Sequence, residues 1–191
     1  MFQYATILGF STIAIGLISY SFYFRDLFKG KTRPDPFSWL IWSILAGTIF
    51  FAQLSRGGGT GTWATALTAV VCFVIAVVAF FWNKSSIKVI DQVSLVGAFS
   101  GIGIWQYTED PLFTVLIAIG IGILGFIPTF KKAFYRPYEE TATTYFLNGL
   151  KFAVAFAALG AFNPVTYLYP VSMVLMNTSL TGMIVLRRKF L

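Results

Sequence analysis

The feature that most constrains this chain is a series of apolar segments, each about long enough to cross a bilayer, separated by loops of very unequal charge. A membrane-crossing helix needs about 20 apolar residues. Seven segments fit: 4–24, 37–54, 62–82, 89–107, 111–130, 141–162 and 165–186. Strands of a membrane β-barrel would be about 10 residues long with strict alternation, and these segments show neither property. Composition agrees. Only 11% of the 191 residues are charged, against roughly a quarter in a soluble domain. The expectation is an all-α membrane protein, lipid-embedded, with seven transmembrane helices.

Charge then orients the chain. With seven crossings, Arg25, Lys29, Lys31, Arg33, Lys84, Lys88, Lys131, Lys132, Arg136, Arg187, Arg188 and Lys189 share one side, and only Arg56 lies on the other. Basic loops stay cytoplasmic, so the N-terminus is expected outside and the C-terminus inside, at the plasma (inner) membrane if the source is bacterial. The first 24 residues lack a basic leading region and a small-residue cleavage site; they read as a first span rather than a cleaved signal. The net charge of +7 is spread between apolar segments instead of forming a soluble basic face, so no nucleic-acid partner is expected. Trp63, Trp82 and Trp105 fall near span ends, where interfacial tryptophans belong.

The chain also echoes itself. An apolar segment, charges and Arg33-Pro34 follow the first span; the same order ends in Arg136-Pro137 after the fifth. Gly16 and Gly122 are a second matching pair. Each echo is followed by a span, a short turn and another span. This predicts two parallel three-helix bundles, residues 1–87 and 110–191, joined by a linker helix over 88–109 in a 3+1+3 layout.

With that layout, the stretches "KTRPDPFSWLIW" (31–42), "IPTFKKAF" (127–134), "RPYEE" (136–140) and "YPVSMVLMN" (169–177) resemble the SWEET and PQ-loop transporter superfamily, including its bacterial seven-helix members. "IPTFKKAF" is similar to the Pro-Gln motif that ends the first helix of a PQ-loop repeat, with Thr129 in the glutamine position; Ser21 and Phe22 stand there in the first half. The resemblance implies a transporter with a midplane pocket and asparagines on the third and seventh helices. Asn177 occupies the seventh-helix position; Thr68 and Cys72 lie near the third-helix one.

Polar residues inside the spans are the candidate site. Lys151 sits mid-span, where a cation costs at least about 2.5–3.5 kcal/mol unless it faces a polar interior. Thr144, Asn148 and Lys151 form one helical stripe. All seven acidic residues lie at span ends or in loops. Lys151 therefore lines a solute pathway, serves as a structural donor or snorkels to an interface. Trp39, Trp42, Ala46, Ile49 and Gln53 mark a second stripe, suited to stacking on a solute or to helix packing. Asn177 shares a face with Pro170, Met173 and Thr181; it binds ligand or holds helices together. Pro128 and Pro170 interrupt helical hydrogen bonding and are candidate hinges or static kinks.

Some functions are disfavoured. The chain has no histidine and one cysteine, Cys72. No metal site, cofactor or catalytic constellation is expected, and so no enzyme. The segment 120–125 fits a dinucleotide motif but lies inside a span without a preceding strand. The segment 97–101 fits the small-residue packing motif G-x-x-x-G, leaving a homo-oligomer open. The expected function is facilitative small-solute transport by alternating access, for a sugar or small organic anion. Substrate-binding candidates are Asn148, Lys151, Asn177, Trp42, Trp39 and Gln53. The alternative is a membrane receptor or sorting protein that binds an acidic ligand with the same fold.

Overall fold

The computed structural model of the chain describes residues 2–82 and 110–190, together with Val96 and Ser100. The six long helices described are α1 (Phe2–Phe28), α2 (Pro36–Ser55), α3 (Trp63–Trp82), α4 (Pro111–Tyr135), α5 (Ala142–Ala157) and α6 (Pro164–Lys189). The last three correspond to the fifth, sixth and seventh apolar segments. No strand occurs among the described residues. Apart from Val96 and Ser100, the fourth segment at 89–107 and the linker at 88–109, with Lys84, Lys88, the acid Asp91, Trp105 and the glycines of the motif at 97–101, lie outside the described residues.

Five of the six helices are long and apolar enough to cross a membrane. Their outward faces carry large exposed apolar side chains such as Phe10, Phe80 and Ile123. The described residues are thus all-helical in class, consistent with a multi-pass membrane protein. The sixth segment departs from expectation. Its helix stops at Ala157 instead of reaching Phe162 and has only 16 residues, about 24 Å at 1.5 Å per residue. Ala158 N–H closes back on the carbonyls of Val154 and Ala155, and Gly160 N–H turns away to Gly58 O at 3.1 Å. The chain spends these donors on a turn.

Helix starts follow local chemistry. Three begin as an Asx-Pro pair. Asp35 accepts from the N–H of Phe37 and Ser38, Asp110 accepts from Leu112 N–H, and Asn163 forms a reciprocal capping box with Thr166. Proline follows each cap, at a position where its missing N–H costs nothing. Helix α2 ends in a Schellman turn: Gly58 N–H reaches Gln53 O and Gly57 N–H reaches Leu54 O. Gly57 takes the left-handed φ of 74° that this turn needs.

The helices close into a ring. In each chain-order triplet the third helix lies between the first two: α3 packs on both α1 and α2, and α6 on both α4 and α5. The triplets meet along two seams, α1 against α5 and α2 against α4. Contacts fix the directions. Phe10 meets Trp63 and Phe28 meets Trp82, so α1 and α3 run together. Thr32 meets Thr141, so α5 starts where α1 ends. Asn163 reaches Arg56 O, so α6 starts where α2 ends. Arg187 reaches Phe134 O, so α4 and α6 end together. Helices α1, α3, α4 and α6 therefore point one way, α2 and α5 the other. One end of the ring collects Arg25, Lys29, Lys31, Arg33, Lys131, Lys132, Arg136, Arg187, Arg188 and Lys189.

Candidate functional site

The two triplets enclose a central cavity of about 50 Å³. Every described helix contributes to its wall: Tyr20 from α1, Trp42 from α2, Thr68 from α3, Phe126 from α4, Asn148 from α5 and Asn177 from α6. Away from the basic end the ring is sealed. The glycine turn after α2 meets the turn after α5: Gly160 N–H bonds Gly58 O, Thr60 Oγ1 donates to Ala5 O and Ala158 O, and Asn163 Nδ2 donates to Arg56 O. A Cβ on Gly61 would sit 2.7 Å from Ala155 O, so the turn and α5 touch as closely as backbone allows.

At the basic end lies a vestibule of about 1000 Å³. Arg33, Lys131 and Arg136 line its exposed mouth, with Asp35, Glu139 and Glu140. The acids there are engaged. Glu140 is buried and pairs with Lys132 at 2.5 Å, while Tyr145 O–H donates to it at 2.8 Å. Glu139 pairs with Arg136 at 3.5 Å. Trp39 and Trp42 border both the vestibule and the central cavity. They belong to a continuous aromatic strip from Tyr23 through Trp39 and Trp42 to Phe126, with ring centroids 4.8, 5.2 and 4.8 Å apart. This strip is the partition between the two spaces.

Four of the six substrate-binding candidates meet at the cavity: Trp39, Trp42, Asn148 and Asn177. Two polar atoms on its wall lack partners. Trp42 Nε1–H has no acceptor and Asn148 Oδ1 has no donor. A buried, unmatched polar atom costs about 1–3 kcal/mol, so Asn148 Oδ1 is prepared to bond a guest, whereas Trp42 Nε1 packs on Gly125 of α4 and is released only if that contact parts. Asn177 is more committed, since its Nδ2 donates to Met173 O at 2.8 Å.

Lys151 stands one layer behind the wall. It is fully buried, and its Nζ donates to Thr68 Oγ1 at 2.7 Å and Tyr20 Oη at 3.4 Å. Both acceptors line the cavity. The amine also lies over the rings of Tyr20 and Phe152, 4.9 and 4.5 Å from their centroids. It forms no ion pair among the described residues. Gly16 makes room for its stem, since a Cβ there would lie 3.1 Å from Lys151 Cδ.

Gln53 is elsewhere. It is buried toward the sealed end, where its Nε2 donates to Thr166 O at 2.9 Å. That carbonyl is the one a helical N–H at position 170 would take, and Pro170 has none. Gln53 replaces the missing donor from another helix. Pro128 sits inside α4 and lines the vestibule. Sequence reasoning passed over Tyr20, Phe126, Phe152 and Tyr169, all on the cavity wall. A signal existed for Tyr20: Thr12, Gly16, Ser19 and Tyr23 recur at alternating spacings of four and three, with Tyr20 beside them, and all are buried. No family model, curated protein or solved structure matches the chain.

Proposed function

We propose that the chain is a small-solute membrane transporter that works by alternating access around the central cavity. The observation that carries this reading is the cavity itself: it lies between the two triplets, with wall residues from every described helix. A site so placed changes access when one triplet rocks against the other. The sealed end and the vestibule fit one end-state of such a cycle. The cavity of about 50 Å³ is far below the roughly 300–1,000 Å³ of most small-molecule sites. A solute therefore enters only when the aromatic strip parts.

The resemblance to SWEET and PQ-loop transporters supports the same reading, as does the shared neighbour order of the triplets. In this reading the triplets are the two repeats of a 3+1+3 fold, the basic end is cytoplasmic by the positive-inside rule, and the vestibule opens to the cytoplasm. Trp42, Asn148 and Asn177 contact solute, and Trp39 closes over it. Pro128 is the hinge beside the vestibule. Acidic residues occur at span ends and loops and histidine is absent from the chain. The proton relay of coupled pumps has no such groups at mid-depth, so transport is facilitative.

The test is flux in proteoliposomes, with neutral sugars and small carboxylates as solutes. Net flux of at least one solute, lowered roughly tenfold or more by Asn148→Leu, is expected for a site contact. Saturable binding without flux in either direction would replace the transporter with a receptor.

A further inference from the structure

Resting on the proposal that the central cavity is the solute site, we infer that its solute is a small carboxylate anion bearing a hydroxyl group, with Lys151 supplying the counter-charge. The starting point is an imbalance. Lys151 is fully buried, yet among the described residues its amine is met by hydroxyls, aromatic faces and the Cys72 thiol. An isolated buried ammonium is very costly, so the amine either gives up its proton or keeps it beside an anion; a bound anion is the partner that would hold the proton there. Among the described residues no carboxylate does. Glu140, the one buried acid among the described residues, is held by Lys132 and Tyr145 at the basic end.

The amine reaches the cavity through two wall residues. Lys151 donates to Tyr20 Oη, and that hydroxyl, on the cavity wall with Thr68, Cys72 and Asn148, keeps its own proton to donate. A cation behind a hydroxyl strengthens its donation along the chain of hydrogen bonds. Trp42 Nε1–H, without an acceptor while it packs on Gly125, supplies a second donor once the α2–α4 seam parts. Two donors backed by a cation suit the two oxygens of a carboxylate. Asn148 Oδ1 is the opposite case, an acceptor without a donor. A hydroxyl on the same solute satisfies it. A neutral sugar would answer Asn148 and leave Lys151 without a counter-charge. A plain carboxylate would answer Lys151 and leave Asn148 unmatched.

The approach route has the same sign. Arg33 and Lys131 line the exposed mouth of the vestibule and form no ion pair among the described residues. A cationic mouth with low-dielectric walls raises the local concentration of anions.

Lactate, propionate, lactamide and glucose separate these contributions. Each is titrated against the purified full chain, with melting temperature as readout, and then tested for flux in proteoliposomes. A solute that binds the folded state raises its melting temperature. Lactate is expected to bind most tightly and propionate more weakly, with no shift from lactamide. Lys151→Met and Tyr20→Phe should each weaken lactate roughly tenfold or more, while Asn148→Leu should erase only its advantage over propionate. Tyr20→Phe keeps the lysine and the ring, so it decides the matter if Lys151→Met does not fold. The inference is overturned if lactamide or glucose equals lactate, if no anion binds, or if lactate binding survives Tyr20→Phe and Lys151→Met unchanged. Flux of neutral solutes alone would sink the anion site and leave the transporter standing. Lysine-dependent lactate binding with no flux of any solute would do the reverse.

Discussion

The two seams between the triplets are related by position in the ring but built from different chemistry. Along α1–α5 the contacts are polar and reciprocal. Ser19 Oγ donates to Thr144 O at 2.9 Å, and Thr144 Oγ1 returns to Ser19 O at 3.1 Å. Thr141 Oγ1 donates to Asp26 Oδ2 and shares a 2.7 Å bond with Thr32. Lys151 adds its bond to Tyr20. Along α2–α4 no side-chain hydrogen bond joins the helices themselves among the described residues; at the basic end Lys132 Nζ of α4 donates to Arg33 O, in the loop before α2, at 2.8 Å. Trp42 lies against Phe126 and over Gly125, where a Cβ would come within 2.8 Å of Trp42 Nε1. The vestibule opens on this second side, lined by Ser38, Trp39 and Trp42 of α2 and by Ile127, Pro128 and Thr129 of α4. Directional bonds resist sliding, whereas aromatic faces part without leaving polar groups unmatched. The contrast assigns the α1–α5 seam to the pivot of the proposed rocking and the α2–α4 seam to the opening.

The largest expected effect comes from locking each seam in turn. In a Cys72→Ala background, Leu45→Cys with Gly122→Cys places thiols across α2–α4. Gly122 tolerates the side chain, since a Cβ there first meets Leu45 Cδ1 at 3.9 Å. Ser19→Cys with Thr144→Cys does the same across α1–α5. Bridging the aromatic seam with a short bifunctional thiol reagent should cut flux about tenfold or more, and bridging the polar seam less than about twofold. Equal inhibition would erase the distinction between pivot and opening.

A second, smaller effect concerns the partition. Trp42→Ala should merge the cavity with the vestibule, at a cost of about 3 kcal/mol for a truncated tryptophan. Cys72 is a natural reporter, being buried on the cavity wall. Its modification by a small water-soluble thiol reagent should speed up about tenfold if burial behind the strip is what protects it. An unchanged rate would mean that the strip is not the barrier.

How much of this was legible depends on the range of the interaction. Helix starts were, because Asp35-Pro36, Asp110-Pro111 and Asn163-Pro164 carry their caps and prolines locally. The stripe of Thr144, Asn148 and Lys151 was readable as an inward face for the same reason, since a helix fixes it by spacing alone; all three are buried. The early end of α5 was not, because it depends on Gly58 taking a hydrogen bond from Gly160, about a hundred residues away in sequence. Lys151 was expected among the candidates for direct solute contact; its place behind Tyr20 and Thr68 is set by how α1 and α3 close against α5, which no single helix encodes. Gln53 was misleading in an instructive way. It shares a face with Trp39 and Trp42, but the face is long, and Gln53 reaches the sealed end where Pro170 has left a carbonyl without a donor.

That pairing gives the third prediction. Gln53→Leu should cost about 1–3 kcal/mol by leaving Thr166 O buried without its donor. Pro170→Ala restores an N–H at the helical position. In that background Gln53→Leu should cost less than half as much, and a double-mutant cycle on melting stability reads the coupling directly. Additive costs would show that Gln53 acts by packing alone. The bond also ties α2 to α6 at the sealed end, so its loss should loosen the seal before it alters the vestibule.

The smallest effect tests the polar seam bond by bond. Thr144→Val keeps shape and removes one hydroxyl from the pair with Ser19. Side-chain hydrogen bonds between membrane helices average only about 0.6 kcal/mol, so a single loss should lower melting stability slightly and leave flux near wild type. Ser19→Ala combined with Thr144→Val removes both reciprocal donors, yet α1 and α5 stay joined through Thr32, Thr141 and Asp26 at one end and Lys151 at mid-depth. Redundancy is what a pivot requires: no one bond carries it, so each may be lost cheaply while the axis stays fixed. If the double variant lost flux more steeply than stability, the Ser19–Thr144 bonds would have to break and reform during the cycle. The polar seam would then belong to the moving parts, and the aromatic seam would no longer be the sole opening.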